Sequence, residues 1–259
     1  MTTERAQRFV DLHHGDDIFV MANPTNVGTA RMLEGLGYLA LGTSSAALAR
    51  SLGRADGCRA LTRDEAIAHA VEMHDATSVP ISGDFEHGYG DTPDEVAATV
   101  KAAVAAGLAG CCIEDATGLD DPVIFDAGLA AARIAAAAEA VGDRPFVLVA
   151  RSENLLHGID DLGDTISRLQ SFEQGGAHAV YAPGLRTLEQ VRAVVSSVSV
   201  PVNVLVGLGG QDFTLDDLGE AGVRRVSVGS GFERVANEAM RACAASMLDP
   251  STPLGPLFV

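Results

Sequence analysis

Eight short β-branched or apolar runs, each followed by a helical pattern, recur along the chain at intervals of roughly 20 to 40 residues. They occupy 18–23 (IFVMAN), 38–45 (YLALGTSS), 79–86 (VPISGDFE), 110–116 (GCCIEDA), 146–153 (FVLVARSE), 179–184 (AVYAPG), 201–207 (PVNVLVG) and 224–230 (RRVSVGS). Such alternation marks repeated βα units. Eight of them with no linker-like stretch between favour one closed parallel (β/α)8 barrel over an open sheet, which needs no fixed count. The length fits: such barrels use about 250 residues as a single domain, and the expected domain spans 1–259. The chain is 47% hydrophobic but only 5% aromatic and has no Trp. Its core must be aliphatic, as parallel strands buried on both faces require. Thr62, Thr92, Thr187 and Thr214 are the expected helix N-caps, with Pro93 suited to a first turn and Gly107 to a helix end. The Ala-rich run 129–138, which carries Arg133, reads as a packed helix face.

Eighteen basic against thirty-five acidic residues give a net charge of −17. That argues against a nucleic-acid or membrane-surface binder, since both use basic patches. The N-terminus lacks the apolar core of a signal peptide. The uncharged stretch 193–210 contains Ser196, Ser197, Pro201 and Asn203 and reads as a helix end followed by a strand, not a membrane span. Cys58, Cys111, Cys112 and Cys243 form no Cys-x-x-Cys or Cys/His ligand spacing and are expected as reduced thiols in a cytoplasmic protein.

In such a barrel the site lies where the βα loops converge, at the C-terminal ends of the strands. The polar residues there are Asn23 and Asn26, then Thr43, Ser44 and Ser45, Asp84 and Glu86, Glu114 and Asp115, Arg151 and Glu153, and Asn203. Carboxylates gathered at a barrel mouth repel one another unless positive charge lies among them. A hard divalent cation, Mg²⁺ with Mn²⁺ as the alternative, suits such oxygen ligands and retained waters; pairing with Arg151 and loop amides is the competing arrangement. Asp84 and Glu86, two residues apart, point to the same side of a strand. His87, His157 and His178 are acid/base candidates, against the plainer reading of solvated loop histidines. His69 and His74, five apart on a helix, have poor ligand spacing and are expected at the surface. Glycine-rich 207–210 and 228–231 follow the last two strands and suit either a phosphate or tight turns.

A collinear set of segments carries a resemblance. GTSSAALARSLGRADG lies near the second strand, SGDFEHGYGD after the third, AGLAGCCIEDATG at the fourth, ARSENLLHG at the fifth, HAVYAPGL at the sixth, PVNVLVG at the seventh and LGEAGVRRVSVGSG at the eighth. Over nearly its whole length the chain resembles the isocitrate lyase/phosphoenolpyruvate mutase superfamily. The resemblance implies that Asp84 ligates Mg²⁺ directly, that Glu86 and Glu114 hold it through water, and that Asp56 lies close to metal and substrate. Thr43, Ser44, Ser45 and Ala46 match positions that bind a substrate carboxylate, and Asn203 is assigned to the substrate as well. Arg151 matches the arginine that pairs with a carboxylate or phosphonate, a task for its bidentate fork. Asp56, Glu114 and Arg151 are thus the catalytic candidates. The resemblance also implies a homotetramer in which the last helix, 232–248, is swapped onto a neighbour through Val235, Ala239, Ala242 and Met247.

The departures narrow the chemistry. The family's isocitrate-type lyases carry Lys-Lys/Arg-Cys-Gly-His after the fourth strand, where this chain reads EDATGLDDPVIFD, without Cys, Lys or His. The mutases carry a Lys just after Glu-Asp and an Asn-Ser pair further on; here Ala116 follows and the pair is absent. Many relatives have Asn-Ala-Trp-Asp where this chain has Asn23, Pro24, Thr25 and Asn26. The expected function is a Mg²⁺-dependent lyase or hydrolase of a small α-keto or α-hydroxy di-acid, working through an enolate, as an oxaloacetate-type decarboxylase would. The alternatives are a phosphoenolpyruvate mutase or phosphonopyruvate hydrolase acting on a C–P bond, and an α-keto acid binding protein with little activity.

Overall fold

The strands of the computed structural model run β1 Phe19–Ala22, β2 Ala40–Gly42, β3 Ile81–Asp84, β4 Gly110–Glu114, β5 Val147–Arg151, β6 Ala179–Tyr181, β7 Val202–Leu205 and β8 Arg225–Ser227. All pair in parallel and in chain order, and β8 closes on β1 with Phe19 opposite Arg225. The structure describes residues 2–57, 59–249, 251 and 253; the expectation for Cys58 lies outside them. The result is a single-domain (β/α)8 barrel with an aliphatic layer between its strands and helices. Leu41, Ile81, Ile113, Leu148, Val180, Val204 and Val226 are fully buried between the barrel and its helices.

Every strand falls within its expected run but ends earlier, because polar side chains turn the chain at the mouth. β2 stops at Gly42, since the Ser44 side chain accepts the Ala47 N–H and opens α3 (Ser45–Ser51). β3 stops at Asp84, since Glu86 takes a left-handed φ of +47°. The four expected caps do cap. Thr62 opens α4 (Arg63–Ala76), Thr92 α5 (Pro93–Ala105), Thr187 α8 (Leu188–Ser197) and Thr214 α9 (Leu215–Glu220), each with a reciprocal capping box. Asn26 does the same for α2 (Val27–Gly35) instead of facing the mouth. The Ala-rich segment is α6 (Ala127–Val141), packed on α5, and α7 (Leu162–Gln174) lies beside it.

Helix α1 (Thr2–His14) lies across the N-terminal ends of the strands, where Phe9 and His13 pack edge-on against Phe19. Gly110 permits this: a Cβ there would stand 2.6 Å from the Val147 carbonyl oxygen and 2.8 Å from the Phe9 ring. Asn23 fastens the other end of the barrel. Its amide donates to the carbonyls of Gly42 and Thr43, and its Oδ1 accepts from the N–H groups of Val228 and Gly229.

The expectation for His69 and His74 is corrected. α4 packs against β3 and against α2, α3 and α5, so His74 is buried and His69 half-buried, and burial lowers both pKa values. His178 is not at the mouth either, but at the opposite end of the barrel, where its Nδ1 accepts the Leu148 N–H. Among the described residues no helix is long and apolar enough to cross a membrane.

Candidate active site

A cavity of about 690 Å³ opens at the C-terminal mouth; most of its charged groups come from the ends of β3 to β5 and the segments that follow β2 to β5, and Arg234 comes from the helix after β8. Asp84, the last residue of β3, is held from both ends. Its backbone N–H donates to Thr43 Oγ1 at 2.8 Å, and its Oδ2 accepts from the Ser45 N–H and hydroxyl at 2.8 and 2.9 Å. One turn on, the left-handed backbone of Glu86 lets its carbonyl accept the Glu114 N–H at 2.9 Å. Arg133 reaches this turn from α6. Buried and stacked 3.9 Å from the Phe125 ring, it donates to the carbonyls of His87 and Gly90.

Arg151 closes the arrangement from the end of β5. Its guanidinium contacts Glu153, lies 3.4 Å from Glu114 and reaches to 3.9 Å from Asp84. Glu153 is in turn set by Asp115, whose Oδ1 accepts the Glu153 N–H at 2.7 Å while Oδ2 pairs with Arg168 at 3.2 Å. On the other side, Asp56 lies half-exposed 3.9 Å from Arg50, which forks onto the buried Glu233 at 3.0 and 2.8 Å.

One guanidinium among these acids leaves negative charge in surplus. Burial, with Asp84 and Asp56 adding repulsion, raises Glu86 to about 7. Burial likewise pushes Glu114 well above the carboxylate range, against the opposing pull of Arg151. Arg151 itself stays charged, because Glu153 and Glu114 outweigh the burial that opposes its charge. His87 is lowered to about 4 by burial and by Arg59 and Arg133.

Asp56, Ser44, Ser45, Ala46, Asp84, Glu86, Glu114 and Arg151 all line the cavity. Thr43 and Asn203 do not. Thr43 is buried and acts on the backbone of Asp84. Asn203 is corrected as a substrate contact: two residues short of the end of β7, it lies inside the barrel, bonded to Ser227 and to the buried Arg225. In the second glycine segment the Val228 and Gly229 amides are given to Asn23 and are not free to cradle a phosphate. Arg133 and Arg59 were missed as site-shaping residues. Arg59 donates to the Thr117 carbonyl and pairs with Asp91, joining three mouth loops. The signal for Arg133 was available, since it is the one charge in the run 127–138.

Among the described residues no group of three or more His, Cys, Asp or Glu is drawn together at metal-holding distances. The groups facing the cavity are nonetheless carboxylate oxygens with uncompensated charge. That chemistry fits a hard cation bound by few direct ligands and several waters.

A family model described as phosphoenolpyruvate phosphomutase matches residues 9–248. The chain is 32% identical over 257 residues to an oxaloacetate decarboxylase of Paraburkholderia xenovorans, covering 95% of this chain and 82% of that protein. It is 30% identical over 207 residues to the 2-methylisocitrate lyase of Escherichia coli, with 76% and 69% covered. A crystal structure from Burkholderia cenocepacia, described provisionally as a lyase/mutase, superposes with a TM-score of 0.94 at 40% identity, over 100% of this chain and 93% of that one.

Proposed function

The chain belongs to the isocitrate lyase/phosphoenolpyruvate mutase superfamily, and on that premise we propose a Mg²⁺-dependent lyase that decarboxylates or cleaves a small α-keto or α-hydroxy di-acid, a β-keto di-acid of the oxaloacetate kind first among them. The observation that carries this reading is the pairing of the Asp84, Glu86, Glu114 and Arg151 cluster with a 115–125 loop that supplies no Cys, Lys or His. Retro-aldol cleavage needs a base to take the hydroxyl proton as well as an acid for the enolate, and the loop after β4 provides none of the usual groups. Loss of CO₂ asks less of that loop.

Arg151 binds the substrate carboxylate through its planar fork, held in orientation by Glu153 and Glu114. Ser44 and Ala46, at the start of α3, offer a hydroxyl and an N–H donor to the oxygen on which charge develops, while Ser45, both of whose donors go to Asp84, holds that carboxylate beside them. Leu119, Val123 and Leu156 add apolar surface to the cavity wall. Asp84, with Asp56, Glu86 and Glu114, would hold Mg²⁺, whose part when bound is to polarise the substrate carbonyl.

The family model's own description favours a second reading, C–P bond chemistry. Migrating phosphoryl groups need cations to hold them. Besides Arg151, the cavity's arginines are engaged elsewhere: Arg50 with Glu233, Arg59 with Asp91, and Arg234 on the Gly207 carbonyl. Steady-state assay of the purified protein with Mg²⁺ across oxaloacetate, phosphonopyruvate and branched malates separates the readings. Turnover of oxaloacetate, absent in Arg151→Ala, is the expected result. Robust interconversion of phosphonopyruvate and phosphoenolpyruvate by phosphorus NMR would overturn it. Tight binding without turnover of any acid would favour the binding protein.

A further inference from the structure

We propose that His157, on the loop after β5, is the acid that delivers a proton to the substrate carbon left by bond cleavage; the inference rests on the enolate chemistry proposed above. Two imidazoles line the cavity among the described residues, those of His87 and His157. His87 is almost fully buried, and with Arg59 and Arg133 near it the ring is kept neutral, so it has no proton to give around neutrality. Tyr181 is no substitute, since burial pushes its phenol above the ordinary range.

His157 has what the others lack. Its side chain is 34% exposed, so it meets both the cavity and bulk water. Its Nε2 lies 3.8 Å from Glu153 Oε2. The other oxygen of that carboxylate accepts from Arg151 Nε, so Glu153 bridges the substrate-binding guanidinium and the imidazole. The backbone fixes this placement, as the His157 N–H donates to the carbonyls of Glu153 and Asn154 at 3.2 and 3.1 Å. An imidazole is the side chain most often used to transfer a proton in catalysis.

The step balances without another reagent. The carbon–carbon bond to the departing carboxylate breaks, CO₂ leaves, and the electron pair remains on the enolate. The imidazolium Nε2–H bond then breaks as a C–H bond forms at the carbon beside the carbonyl, which is restored. The neutral ring regains its proton from water at its exposed edge.

The test isolates the proton transfer from bond cleavage. Pyruvate, the enolate's protonated product, is incubated in D₂O with Mg²⁺ and protein, and loss of its methyl proton signal is followed by NMR. Wild-type protein should exchange these protons. His157→Asn, with unchanged circular dichroism and melting, should exchange them about 10²-fold more slowly, and added imidazole should restore part of the rate; His157→Gln serves if the Asn variant does not fold. Wild-type exchange without decarboxylation of oxaloacetate, with His157→Asn slow, would keep the assignment and reject the decarboxylase reading. Decarboxylation with undiminished exchange by His157→Asn would keep that reading and reject the assignment. Absence of exchange by the wild type would reject the assignment too.

Discussion

Arg151 stands alone among Asp84, Glu114 and Glu153, and this asymmetry sets what single substitutions do. Arg151→Met leaves buried acids without their cation, a change that typically costs about 3–5 kcal/mol. Chemical denaturation should show a loss of that order, alongside lost turnover. His13 makes a pH-dependent contribution at the far end of the barrel. Burial and the nearby Arg225 lower it to about 3 from 6.5. Above pH 6.5 folded and unfolded chains both hold it neutral; below, the unfolded chain takes a proton that the folded one refuses. Stability is therefore lost as pH falls from 6.5 toward 3. Urea titrations should show His13→Met gaining on wild type over that window and at constant offset above it. The mouth acids were legible in the sequence because each directly ends a recognisable strand run. Asn203 was misplaced because its depth depends on where β7 stops, and a shift of two residues separates a cavity wall from a barrel interior.

At the scale of elements, the caps were the most readable feature, since a hydroxyl three residues before Glu, Gln or Asp can satisfy the first orphan N–H groups by local geometry alone. Thr92→Ala should cost about 1 kcal/mol, measured as a drop in denaturation midpoint. The same change at Thr25, which caps nothing, should cost less. Strand ends were less readable because they depend on contacts distant in sequence, such as Ser45 on Asp84. Helix α1 escaped notice as a barrel plug for the same reason. Its Phe9 has meaning only against Gly110 and Phe19, which no local periodicity displays.

For the whole molecule, the last helix, α10 (Gly231–Met247), is the outlying element. Glu233 is its buried residue, bound to Arg50, whereas Val235 is 70% and Met240 65% exposed, and Ala239, Ala242 and Met247 are exposed too. A 17-residue helix so uncovered is an apolar surface suited to another copy of the chain. We propose the homotetramer expected from the family resemblance, with α10 swapped between neighbours. Sedimentation should give four chains, and Val235→Glu should dissociate them; a wild-type monomer would remove the assembly and leave the barrel. The barrel itself was legible as eight βα units because its connections are local, while assembly is written only in which faces remain unpaired. We propose that the acids at the mouth form a metal and keto-acid site and do not merely neutralise Arg151. Calorimetric titration of Mg²⁺ into wild type and Asp84→Ala, with oxalate present as a keto-acid mimic, tests it most directly. One ion per chain, with affinity at least about tenfold weaker in the variant, is the predicted result; equal affinity in both proteins would contradict it.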